Sequence, residues 1–177
     1  LWVSVATTVT RVVGQLVFCS MAGYALARMR FPGRNVIFGM FLAVLMVPGQ
    51  IYLIPQYEII RQLGWLNTFR GIALPGIFIA FGTFLFRQHF ASMPKELEEA
   101  ARIDGANPFQ IFVRVMLPLS MPAASALIII TTLGSWNDLL WPLVIASDER
   151  TMPLSDGLAG FSGQYATNYP VLMAAAV

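Results

Sequence analysis

Long apolar runs separated by short polar stretches set the pattern of this chain. Five runs stand out, at about residues 1–27, 36–55, 71–89 and 111–146, with another beginning at about 167. Hydrocarbon cannot satisfy open backbone groups, and membrane strands would show shorter, alternating runs, so the pattern predicts helices. Residues 115–137, between Arg114 and Asp138, carry no charge and are long enough to cross a bilayer. The run 71–86 has only 16 uncharged residues and spans only if Arg70 and Arg87 snorkel from its ends. The expected fold class is all-α, a polytopic transmembrane helix bundle of about five spans.

Composition strengthens this picture. A hydrophobic fraction of 57% against 11% charged residues does not suit a water-soluble domain. The net charge of +2 arises from a few residues in short loops, with no basic groove interleaved with aromatics, so nucleic acid is not an expected partner. One cysteine, Cys19, and one histidine, His89, are too few for an intrachain disulfide or a zinc site. Cys19 reads as a small packed hydrophobe and His89 as a residue at the membrane edge. The chain opens at Leu1 and closes inside the apolar run YPVLMAAAV, so the reading expects one domain over 1–177, truncated at both ends. Residues 1–27 are too long, too rich in small residues and too poor in preceding basic residues for a signal peptide.

Orientation follows from basic residues in alternate loops. Arg28, Arg30 and Arg34, then Arg87, Lys95, Arg102 and Arg114, follow the first and third runs, seven in all; only Arg61, Arg70 and Arg150 follow the second and fourth. The richer set is expected in the cytoplasm. Within it, FPGR offers Pro32 and Gly33 for the centre of a type II turn, and small residues in SMAGYALA allow close helix approach in lipid.

The one crowded set of charges lies in MPKELEEAARIDGANPFQIFVRVMLPLSMP, residues 93–122. Pro94 suits a first helical position, and Glu96, Glu98 and Glu99 complement the positive end of the helix dipole. Arg102 falls near the C-terminal end, and Gly105 is available to stop the helix. Asn107, Pro108 and Gln110 then stand as N-cap, first residue and third residue of a second helix, a capping-box pattern. The first helix is too short to be stable alone in water, so either a partner or the protein's own inner face must hold it. Pro118 and Pro122 are placed to bend the span that follows.

Spacing narrows the choice. Glu99-Ala100-Ala101, three residues, Gly105, nine residues and Val115-Met116-Leu117-Pro118 resemble the EAA motif of ABC importer permeases, EAA-x3-G-x9-I-x-LP, with Val in the place of the more common Ile. AGYALARMRFPGR, LEEAARIDGANPFQIF, LPLSMPA and SWNDLLWPL resemble the recurring phrases of the carbohydrate, maltose-permease-like group, in their usual order. That resemblance covers nearly the whole chain. It implies a multi-pass permease of the bacterial inner membrane, normally of six spans, that works with a second permease subunit, two ABC ATPase subunits and an extracytoplasmic solute-binding protein. It also implies that 94–105 is a cytoplasmic coupling helix, with Glu99, Ala100, Ala101, Arg102, Asp104 and Gly105 meeting the ATPase. The expected cargo is a sugar, with polyamine or phosphate as the alternative. No cofactor is expected on this chain, because ATP would bind the partner subunits.

A candidate substrate path lies in GSWNDLLWPL. Ser135, Trp136, Asn137 and Asp138 bring together hydroxyl, amide, carboxylate and ring, the groups that hold sugars, at membrane depth; a helix-end cap with interfacial tryptophans is the plainer reading of the same residues. Arg11, in the middle of the first run, reads as an ion-paired or snorkelling residue. An enzyme is the remote alternative. Gly160-Phe161-Ser162-Gly163 matches the G-x-S-G pattern of intramembrane serine proteases, but His89 precedes it and falls at the opposite face by the charge count.

Overall fold

The computed structural model describes residues 1–146 and 152–155. Among them every regular element is helical, as the apolar pattern predicts: α1 Trp2–Arg28, α2 Arg34–Leu45, α3 Leu53–Gln62, α4 Phe69–Ala73, α5 Ala80–Ser92, α6 Glu96–Ile103, α7 Pro108–Ile111, α8 Leu117–Leu119, α9 Met121–Trp136 and α10 Leu140–Ile145. The run expected from about 167, Arg150 and the Gly160–Gly163 motif lie outside the described residues. Trp2–Arg28 and Phe69–Ser92 are long and apolar enough to cross a membrane, and two broken helix pairs raise the candidate spans to as many as four. The chain groups into two compact units, one of Leu1–Arg11, Gly49–Gly76 and the residues from Thr131, the other of Val12–Pro48 and Ile77–Ile130.

The second unit has an aromatic centre. Tyr24 of α1 meets Phe90 of α5 edge-on at 5.7 Å and Phe112 at 5.1 Å, above buried Phe86, Ile111, Met116 and Leu127. Small residues permit the closeness: a Cβ on Gly23 would lie 2.6 Å from Cβ of Phe86, and one on Gly82 would lie 2.9 Å from Sγ of Cys19. Each helix thus offers a glycine to the other, four residues from the side chain that the partner glycine receives. Cys19 is fully buried in this contact, the packed role expected for it. Helix α2 starts from the turn the sequence predicts, with Gly33 at φ 80° and ψ −1°. It holds to α5 by Phe38 on Phe84 and Phe41 on Phe78, and none of its residues is buried. Such an apolar, open helix suits hydrocarbon rather than water.

Two expected spans are interrupted. The run 36–55 breaks after Leu45, where Pro48 lacks an N–H and forces its predecessor out of helical geometry; α3 then runs into residues expected to form a loop. The run 111–146 is divided twice. Phe112–Met116 widens into a π-turn, and the axis bends by 71° between Pro108–Leu119 and Met121–Trp136. Pro118 cannot donate to the carbonyl of Arg114, and Pro122 cannot donate to that of Pro118, so the bend falls where the prolines predict. The second break, at Asn137–Leu139, separates α9 from α10.

In the first unit, Ile60, Ile72, Trp141 and Ile145 form the core. The Trp141 indole donates to the main-chain oxygen of Gly71 at 3.0 Å, and Thr68 caps α4 by accepting from Gly71 N at 3.2 Å.

Candidate functional site

Local chemistry fixes α6 at both ends. Its first residue is Glu96 with Lys95 at the N-cap, so Pro94 lies outside the helix rather than opening it. Its end is closed by Gly105 at φ 82°, a left-handed conformation that a side chain would strain. Ala106 N donates to Ala101 O at 2.9 Å and Gly105 N to Arg102 O at 3.0 Å, the two bonds of a Schellman closure. The next helix starts at once: Asn107 Oδ1 accepts from Gln110 N at 2.8 Å, and Gln110 Oε1 accepts from Asn107 N at 2.9 Å. The reciprocal capping box read in the sequence is present. Four residues, Asp104 to Asn107, join the two helices, so this turn has little slack.

The residues expected to meet an ATPase divide by face. Glu99, Ala100, Arg102, Asp104 and Gly105 are exposed, whereas Ala101 is half-buried against the aromatic centre. Sequence reasoning did not single out two open apolar residues nearby, Ile103 at 87% exposure and Phe109 at 68%. Their signal was an isoleucine and a phenylalanine standing among charges and caps. A surface with apolar side chains ringed by Glu99, Arg102 and Asp104 can seat against protein.

Glu98 points the other way. It is buried, its Oε1 3.2 Å from Arg28 Nε and its Oε2 3.6 Å from Arg102. Beside it, the FPGR loop and α6 line an open cavity of about 1280 Å³ that carries Arg30, Arg34 and Lys95.

The polar set at 135–138 is distributed over two environments. Ser135 Oγ accepts from Thr8 at 3.2 Å, and the Asp138 carboxylate pairs with Arg11 at 2.8 Å. Both partners lie on α1 at the same spacing of three residues. Arg11 also donates to Ile72 O at 2.9 Å and passes Gly76, where a Cβ would lie 2.6 Å from its Nε. The ion-paired reading of Arg11 holds. Trp136 and Asn137 are exposed, and the Asn137 amide bonds back to Leu133 O at 2.8 Å, a helix-end role. Ser135 and Asp138 therefore face α1, while Trp136 and Asn137 do not join them.

Comparison with known proteins places the chain in a family. Residues 19–177 match the family described as binding-protein-dependent transport system inner membrane component. The arabinooligosaccharides transport system permease protein AraQ of Halalkalibacterium halodurans is 41% identical over 99% of this chain and 62% of its own length. The sn-glycerol-3-phosphate transport system permease protein UgpE of Pectobacterium atrosepticum is 41% identical over 92% of this chain and 59% of its own. A crystal structure of a bacterial ABC transporter that imports the acidic polysaccharide alginate aligns with a TM-score of 0.85 at 31% identity, over 97% of this chain and 61% of that one. The chain thus spans about three-fifths of the length of these relatives. With apolar helices of spanning length and a family match over most of its residues, this membrane protein belongs to the binding-protein-dependent transport system inner membrane component family.

Proposed function

We propose that the chain forms a permease subunit of an ATP-driven ABC importer, multi-pass in the bacterial inner membrane, with a carbohydrate as cargo. It catalyses no reaction of its own and carries no cofactor; ATP binds two ATPase subunits seated on its cytoplasmic side. A second permease subunit completes the path, and an extracytoplasmic binding protein delivers the solute. The observation that carries this reading is α6, a short helix closed at Gly105, which presents Glu99, Ala100 and Ile103 outward in the residue pattern of an ATPase-coupling loop. Sugar is supported by the relatives that carry arabinooligosaccharides and alginate. A phosphorylated polyol is the second reading, favoured by the likeness to UgpE.

The test is co-purification of the ATPase with the full-length subunit. Glu99→Lys reverses an outward charge, and Gly105→Leu adds a side chain where this chain leaves open space. Both are expected to leave the permease in the membrane and to lower ATPase recovery. Gly105→Asn separates causes, because asparagine tolerates the left-handed backbone at a cost below the 1–2 kcal/mol or so of other side chains. It should keep the fold and still weaken seating. Normal ATPase recovery and uptake in Glu99→Lys and Gly105→Leu would return α6 to an ordinary solvated connector.

A further inference from the structure

The Arg28–Glu98 pair joins elements that the chain itself does not connect directly. Arg28 is the last residue of α1, a helix long enough to span. Its side chain is only 7% exposed; it pairs with Glu98 of α6 and also donates to the main-chain oxygen of Met93, the C-cap of α5. One guanidinium therefore meets the ends of two spans and the helix proposed to seat the ATPase. The link is electrostatic as well as steric, since Arg28 Nε and Glu98 Oε1 lie within ion-pair distance with no hydrogen-bond partner among the described residues.

Burying such a pair is a poor way to gain stability, because desolvation takes back most of the attraction. The local motifs do not need it: α6 is closed by Gly105, and the aromatic contacts of Tyr24, Phe90 and Phe112 supply adhesion between α1, α5 and the π-turn. What the pair adds is position. Glu98 and Glu99 are consecutive, so they lie about 100° apart around the helix. A push on the outward face at Glu99 is carried through one peptide unit to Glu98 and from there to Arg28.

We propose that Arg28 and Glu98 are positioning residues that transmit displacement of α6 directly to α1. Without them, motion of α6 would reach α1 through the packing of Ala101 on the aromatic centre, and the membrane along the chain through α5 on one side and α7 to α9 on the other. The proposal rests on α6 being the ATPase seat, and its test keeps the two ideas separable by following ATPase retention alongside coupling.

The full-length subunit would be reconstituted with its partner permease, ATPases and binding protein, and solute transported per ATP hydrolysed would be measured. Glu98 keeps Arg102 at 3.6 Å after Arg28→Gln, and Arg28 keeps the Met93 oxygen and an amide acceptor after Glu98→Gln, so both are expected to retain the ATPase and to lower that ratio by about 2- to 30-fold, the range for perturbed coupling between sites. Arg28→Lys, which keeps the charge, should fall less. A double Arg28→Cys, Glu98→Cys variant should start equally low and regain the ratio when a short reagent bridges the two thiols; Cys19 is buried and serves as its own control in the unmodified chain. An unchanged ratio in both single variants overturns the proposal. So does loss of the ATPase from both, which assigns the pair to folding of α6, or a bridged double variant that stays uncoupled. Failure of the seat itself would appear elsewhere, as normal ATPase recovery in Glu99→Lys and Gly105→Leu.

Discussion

Asp138→Ala is expected to destabilise the protein by about 3–5 kcal/mol, because it leaves the Arg11 guanidinium buried without a counter-charge. Arg11 is 8% exposed, and the partner left to it among the described residues would be Ile72 O. Its Nε already has no hydrogen-bond partner among the described residues. The measurement is the unfolding midpoint of the detergent-solubilised subunit, with its steady-state level in the membrane. Arg11→Ala should be damaging for the complementary reason, and the double Arg11→Gln, Asp138→Asn variant should recover much of the loss by removing both charges. A variant Asp138→Ala of unchanged stability and altered solute preference would instead make the carboxylate a substrate ligand and Arg11 a bystander.

Gly23→Leu should be comparably damaging for a steric reason. Its Cβ alone would approach Cβ of Phe86 to 2.6 Å and the main-chain N of Arg87 to 2.9 Å, and backbone cannot step aside as the tip of a flexible side chain can. Forced overpacking costs about 1–3 kcal/mol in a well-packed core, and contact with backbone places this case at or beyond the upper end. Gly82→Leu should behave alike, since Cys19 and Leu127 crowd that position. Gly39→Leu is the control: it sits on α2 with nothing within 4 Å, and its midpoint should scarcely move. Equal midpoints for Gly23→Leu and Gly39→Leu would show that α1 and α5 do not depend on this approach.

Local signals proved the most legible part of the sequence. Gly33, Gly105, Asn107, Pro108 and Gln110 act through hydrogen bonds and dihedral preferences within a few residues, so their roles can be read from neighbours alone. The bend near Pro118 and Pro122 belongs to the same class. Hydropathy revealed the apolar runs but not their interruptions, because a windowed pattern averages over a Pro48 or an Asn137–Asp138 step. Pairings between distant residues were beyond reach. Arg11 and Asp138 are separated by 127 positions, and nothing local says that Asp138 answers a charge on the first helix. The same limit hid Glu98. In a helix with carboxylates at 96, 98 and 99, sequence alone does not say which one turns inward; only the position of Arg28 decides it.

The wide turn at Phe112–Met116 also changes how the nine-residue interval after Gly105 is to be understood. A π-turn holds more residues than the 3.6 of an α-turn, so this stretch carries a surplus of chain relative to a regular helix. Removing one residue there would let the helix close to ordinary winding and leave what lies beyond close to its present azimuth, whereas a residue lost from a regular α-turn would rotate everything beyond by about 100° and draw it back by about 1.5 Å. In that second case Ser120, now fully buried at the bend, would present a different azimuth, as would the buried face of α9 at Ala123, Ala124 and Leu127. The interval is thus an angular setting as much as a length: the wide turn can absorb one lost residue, whereas a loss from the regular turns around it would aim the wrong side of the helix at its neighbours.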